Sequence, residues 1–314
     1  MAEHKLLANP THSRWNRALP PRLHIQPSDT VHLECVDSSG AQVHPKMTLS
    51  EFLAIDRERI HALTGPIYVE RAEPGDVLQI DVLKVAHRGW GWSSVIAGLG
   101  FLKERFTEPF LFHWKLEGAV SRSLAPAIVP LRPFCGVMGV ARAEDGEFRT
   151  RPPGPFGGNM DVRQLCTGAT LYLPVFNPGA LFSAGDAHAA QGDGEVCING
   201  IECPADVSLR FRLHKQQRLA APIVESGVSL SRGQESGGDA WLVVESATDA
   251  AAAARAATSR MIDLLVDRWG FTPIHAYLLC SVAMNLHLSQ VVNEPMFTVS
   301  AEIPKSLLPA RRLF

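Results

Sequence analysis

The stretch Leu181–Val196, LFSAGDAHAAQGDGEV, sets Asp186, His188, Asp193 and Glu195 among glycines and alanines. Carboxylates and imidazoles are the usual ligands of divalent cations and the usual acids and bases of hydrolytic chemistry. In an extended backbone, residues two apart project to the same side, so Asp186 and His188 are expected to converge on one point. Ala187, Ala189 and Ala190 leave space around that point. Taken alone, an Asp-x-His pair also describes a turn that carries a surface histidine. A second stretch, PPGPFGGNMDVRQL, offers Asn159 and Asp161 behind Gly157-Gly158. That much glycine predicts a loop, one that can bring backbone amides and a carboxylate up to an ion. Glu70, closing TGPIYVE, is a candidate general base, although an edge-strand carboxylate looks the same. Glu195 and Glu202 are possible ligands of a residue type more often found at the surface.

The elements that must position these residues read as strand for the first two thirds of the chain. In VSLRFRLHK, Val207, Leu209, Phe211 and Leu213 alternate with Ser208, Arg210, Arg212 and His214, the period of a half-buried strand. Short strands also flank Glu73-Pro74-Gly75-Asp76 and Asn177-Pro178-Gly179, which are turn sequences. Helix signals come late: SATDAAAAARAATSRMIDLLVDRWG, with Ser246 or Thr248 as the expected cap and Gly270 just past the end, then TPIHAYLLCSVAMNL, with Thr272 as cap and Pro273 at the first helical position. The predicted class is α+β and β-dominated, with sandwich or distorted-barrel layers and two late helices. We expect one unit over residues 1–314, β-rich over 1–245 and helical then β over 246–314.

Composition narrows the function. The 314 residues are 46% hydrophobic and 20% charged, with a formal net charge of -2, so no basic surface for nucleic acid is implied. No apolar run is long enough to span a membrane, and the N-terminus lacks a secretory pattern. Six scattered cysteines without a CxxC pair point to free thiols in a reducing cytoplasm. HExxH, GxxxxGK[ST] and a GxSxG elbow are absent from the sequence. Cys135 and Cys166 are conceivable nucleophiles without a nearby histidine in sequence, and buried packing is the expectation for both. Trp90 and Trp92 in GWGWSS are expected in the core.

Read together, GPIYVERAEPGDVLQIDVL, LRPFCGVMGVA and PPGPFGGNMDVRQLCTGATLYLPVFNPGALFSAGDAHAAQGDGEV, followed by LSQVV, resemble in that order the acetamidase/formamidase family. The likeness runs from SRWNRALPP near residue 13 to VSAEIPKSLL near residue 308. It implies hydrolysis of a short-chain amide to carboxylate and ammonia, a divalent metal (zinc the expected ion), a multilayered β-rich fold and a homo-oligomer. On the matching positions it implies Asp161, Asp186 and His188 as metal ligands, Glu70 as base, and Asn159 or Gln191 as hydrogen-bonding partners of the amide. The γ-lactam-hydrolysing members of the group make a cyclic amide the alternative substrate, and a non-catalytic ligand- or metal-binding β protein is the competing class. The chain departs from the family pattern at Asn16, at Ala187, whose methyl would narrow the loop, and at Asn285, where an aspartate is usual.

Overall fold

The computed structural model describes residues 1–227 and 239–314. Two open sheets face one another. The larger has nine strands, in the order Glu3–Leu6, Thr30–Cys35, Ala205–His214, Val77–His87, Thr170–Pro174, Ile223–Glu225, Ala240–Ala247, Phe297–Pro304 and Asn285–Gln290. The smaller has five, Gly157–Asn159, Phe134–Gly139, Phe182–His188, Leu63–Val69 and Leu23–Ile25. The layered half of the sequence expectation is what forms; among the described residues neither sheet closes into a barrel.

The core lies where the alternating patterns put it. Val207, Leu209 and Phe211 are fully buried against Leu63, Ile67, Val137 and Phe182 of the smaller sheet. Phe182 meets Phe211 edge to face, with ring centroids 5.2 Å apart. Each such ring contributes about 2–3 kcal/mol through removal of apolar surface from water.

The helix Ala250–Trp269 covers the far end of the large sheet, burying Ala253, Ala257, Met261 and Leu265 against Val243, Val299, Ala301 and Ile303. Its cap differs from the sequence expectation. Ser246 still belongs to the strand Ala240–Ala247, where its hydroxyl bonds Thr298, and Asp249 caps instead by accepting from the Ala252 N–H at 2.8 Å. A carboxylate also complements the positive end of the helix dipole. Gly270 ends the helix at φ 73, and Thr272 caps the helix Pro273–Ala283, both as expected. After these helices the chain returns to the large sheet through Asn285–Gln290 and Phe297–Pro304.

Like the short early helix Leu49–Leu53, Gly157-Gly158 is a segment whose type the sequence misleads on. It forms a three-residue edge strand, paired with Val137–Gly139, not a loop. Both glycines sit at φ near +85, and a Cβ on Gly157 would lie 2.5 Å from the Met138 carbonyl oxygen. Glycine is there to allow a backbone conformation and approach denied to other residues.

One anchor of the smaller sheet makes stability depend on pH. His12 donates from Nδ1 to the Arg14 carbonyl, and its Nε2 accepts from the Ser183 hydroxyl, both at 2.9 Å. Burial, aided by nearby Arg22, pushes its pKa down to about 4 against the opposing Arg14 bond. The folded state therefore binds fewer protons than the unfolded chain between pH 4 and 6.5. This contribution is complete above pH 6.5 and declines as pH falls toward 4. Allowing for partial exposure, the expected loss is about 2 kcal/mol. Denaturant unfolding of wild type and His12→Gln at pH 7.0 and 4.5 checks it: the pH-dependent drop should shrink in the variant, and an equal drop would exclude this role.

Candidate active site

Five side chains meet beneath one cavity: Asp161, Asp186, His188, Glu195 and Glu202, each at most 6% exposed. Three come from neighbouring parts of the small sheet and its flank. Asp186 and His188 lie on the strand Phe182–His188, and Asp161 follows the edge strand Gly157–Asn159. Glu195 and Glu202 come from the loop beyond, with the Glu202 backbone paired to Trp92 and its residue bridged to His188.

Two features of the backbone create the convergence. Asp186 and Asp161 both adopt positive φ, 54 and 52, a strained conformation that aspartate tolerates better than most residues. Plain period-two alternation is thus not the whole reason that Asp186 and His188 meet. The pairing skips at Gly136, which stands between Cys135↔Ala187 and Val137↔Gly185. The Gly136 carbonyl also accepts from the Met160 and Asp161 N–H groups, which fixes the turn carrying Asp161. A Cβ on Gly136 would lie 2.4 Å from Asp161 Oδ1 and 3.1 Å from Asp186 Oδ2. Glycine here leaves the room that the two carboxylates occupy.

His188 organises the cluster. Gln191 donates from its amide nitrogen to the carbonyls of Asp161 and Ser289, at 3.0 and 3.1 Å, so its oxygen must be the atom facing His188 Nδ1 at 2.8 Å. Nδ1 therefore carries a proton and Nε2 faces the carboxylates: Glu202 at 2.8 Å, Asp186 at 3.6 Å and Glu195 at 4.0 Å. Phe134 packs edge-on against the ring and holds its plane. Donor atoms of Asp161, Asp186 and His188 lie within 4.8 Å of one another, as do those of His188, Glu195 and Glu202.

The electrostatics leave this cluster short of positive charge. Oδ1 of Asp161, Oδ1 of Asp186, Oε2 of Glu195 and Oε2 of Glu202 are buried without a hydrogen-bond partner. An uncompensated buried carboxylate costs several kcal/mol. Burial, reinforced by the neighbouring carboxylates and opposed by His188, pushes Asp161 and Glu202 up to about 7, and pushes Glu195 well above its usual value. Burial acts the same way on Asp186, but His61 and His188 beside it hold its carboxyl below the carboxylate range. Burial lowers His188, yet Glu202 and Asp186 raise it well above 6.5. Oxygen and imidazole donors converging at this spacing, with free lone pairs and a glycine-made space, fit a divalent cation.

The cavity above holds about 230 Å³. His188, Asp186, Glu195, Glu202 and Asn159 line it, and the buried Asn159 Oδ1 has no partner. Two of the expected catalytic residues do not take the positions expected of them. Glu70 sits at the surface, its Oε1 3.1 Å from His24 Nδ1. Its strand runs antiparallel to Phe182–His188, with Leu63 opposite Gly185 and Ile67 opposite Phe182. At 3.3 Å per residue, Glu70 is therefore about 20 Å from the cluster. Gln191 has every polar atom engaged with protein, so it positions His188 and has none left for an amide.

Other residues join the cluster without sequence warning. His61 Nε2 lies 3.9 Å from Asp186 Oδ2, and Asn293 Nδ2 donates to Asp161 Oδ2 at 2.6 Å. Their segments, RERIHALTG and SQVVNEP, have no spacing relation to the other site residues. The Ala187 methyl packs in the core between the sheets, away from the loop it was expected to narrow. Asn285 is exposed at the start of an edge strand. All six cysteines are free, and Cys135 is buried, its thiol pushed up by neighbouring Cys35 and by burial, which leaves it a poor nucleophile.

Comparisons with known proteins bear on the family and the fold. The model of the Acetamidase/Formamidase family matches residues 2–147 and 140–309. An acetamidase of Mycolicibacterium smegmatis is 28% identical over 87% of this chain and 85% of its own length. The crystal structure of an acetamidase from Bacillus halodurans superposes with a TM-score of 0.88 and 31% identity, covering 96% of this chain and 98% of that one. A gamma lactamase from Delftia acidovorans shares the fold alone, with a TM-score of 0.69 and 23% identity over 98% of this chain and 94% of its own.

Proposed function

The chain belongs to the acetamidase/formamidase family, and on that footing we propose that it is an amidohydrolase that cuts a small linear amide to carboxylate and ammonia with the help of a divalent cation. The observation that carries the reading is the set of unpartnered carboxylate oxygens around His188 Nε2 at the base of the cavity. Asp161, Asp186 and His188 are the residues that would hold the cation, with Glu202 close enough to share it. When bound, a cation such as zinc supplies an activated water at neutral pH and a centre of positive charge for the developing oxyanion.

The chain's own residues account for the remaining tasks. Asn159 Oδ1 accepts from the substrate N–H, which orients the amide in the cavity. Glu195, buried and with a pKa raised by burial and by Asp161, replaces Glu70 as the group that hands a proton to the departing nitrogen. Gln191 fixes the histidine tautomer, the role a hydrogen-bonded neighbour commonly plays toward a ligating imidazole. Ammonia release from formamide, acetamide, propionamide and a γ-lactam, measured with and without chelator, tests the reading. We expect turnover of a linear amide that chelation abolishes; full activity in metal-free protein would exclude the cation's role.

Assembly and location follow the same footing. The helix Pro273–Ala283 exposes Ile274, Tyr277, Leu278 and Val282 on one side, with Val282 82% exposed, which supports self-association. Light scattering that finds a monomer would remove this reading. Among the described residues no helix is long and apolar enough to cross a membrane, and six free thiols favour the cytoplasm.

A further inference from the structure

The cavity has a second polar wall that the hydrolysis of formamide or acetamide leaves unused. Arg14, Arg57, Arg149 and Arg151 all line it, together with Glu58. Glu58 is shared by Arg14 and Arg149. Among the described residues, neither Arg57 nor Arg151 has a carboxylate within 4 Å. Arg151 is partly buried and donates one bond, from Nη2 to the Val292 carbonyl at 3.3 Å. Burial lowers its pKa, partly opposed by the charges of Glu294 and Glu195. The nearby Glu294 is already paired with Lys103 at 2.8 Å.

Size points the same way. At the ~30 Å³ that a molecule occupies in liquid water, a cavity of about 230 Å³ has room for roughly eight non-hydrogen atoms, twice what acetamide fills. Trp92, Ile96, Leu99 and Ile198 complete the wall as an apolar side suited to methylene groups.

We propose that the substrate is an amide that also carries a carboxylate, a monoamide of a short dicarboxylic acid, with its amide over the carboxylate–histidine cluster and its anionic end on Arg151 and Arg57. The planar guanidinium fork matches a carboxylate in two parallel hydrogen bonds, and Arg57 and Arg151, which have no carboxylate within 4 Å among the described residues, attract the anion. Water adds to the amide carbon, the C–N bond breaks, and the leaving nitrogen takes a proton, so the products are a dicarboxylate and ammonia. This assignment rests on the amidohydrolase reading and narrows its substrate class.

The test uses the cation-loaded full chain with succinamate and with succinamide, its neutral isostere. The expected kcat/KM for succinamate exceeds that for succinamide, corrected for its two amide groups, by about tenfold to a hundredfold. Arg151→Met should bring the ratio below about twofold, and Arg57→Met, at an exposed position that places little demand on folding, should lower it partway. Equal rates for the two amides in wild type, or an unchanged ratio in both variants, would overturn the proposal. Calorimetric titration with succinate separates it from the hydrolase reading. Binding that Arg151→Met weakens about tenfold supports the anion site even in a preparation that hydrolyses no amide, and absence of binding counts against it.

Discussion

Asp186→Asn is expected to lower amide hydrolysis by about a thousandfold or more while leaving the protein folded. The substitution keeps the side chain's size and removes the one carboxylate in the cluster that neighbouring His61 and His188 keep ionised. Metal content measured on the purified variant should fall with activity. Stability gives a second readout that does not depend on turnover. A cation present at a thousand times its Kd stabilises the folded state by about 4 kcal/mol. Wild type should therefore lose on that order when chelated, whereas Asp186→Asn should respond little to chelator. Without a cation, Asp186 is the ionised partner of His61 and His188, so the chelated variant should unfold somewhat more easily than chelated wild type. A variant that kept a tenth of the wild-type rate would contradict the assignment.

Gly136→Ala is the second change with a large expected effect. Gly136 has no positive φ, so by backbone entropy alone alanine in this strand would be neutral or stabilising. Sterics reverse the sign. The added methyl would sit 2.4 Å from Asp161 Oδ1 and 3.1 Å from the Asp186 backbone oxygen, and that backbone cannot withdraw without breaking the ladder to Phe134–Gly139. A destabilisation of about 2–4 kcal/mol is expected, with loss of metal binding and activity. Gly192→Ala is the control: its Cβ would meet nothing within 4 Å and its φ is ordinary, so the change should stay within about 0.5 kcal/mol. Equal behaviour of the two variants in thermal unfolding would refute the steric account.

What could be read from the sequence follows from how local each signal is. Val207 to Leu213 announce their strand because alternation is written into adjacent residues, and Pro273 and Gly270 mark helix ends for the same reason. Asp161, Asp186, His188 and Asn159 could be singled out because small residues surround them, and all four come together. Glu195 and Glu202 were visible as carboxylates, but burial depends on the whole fold, so the surface expectation was the natural one. His61 and Asn293 reach the cluster only through sheet pairing and the return of the chain end, neither of which leaves a mark in their own neighbourhoods. Glu70 misled because chain proximity to a conspicuous motif carries no information about strand direction, and the antiparallel register sends it away.

The contacts from Ser289 and Asn293 have a bearing on biosynthesis. Ser289 receives the bond that locks Gln191, and Asn293 holds Asp161. A nascent polypeptide leaves the ribosome from its N-terminus, and early portions begin to collapse before later ones emerge. The acidic pocket therefore acquires the last of its supporting bonds, the ones on Gln191 and on the Asp161 carboxylate, only once the stretch around residue 290 has been made and docked.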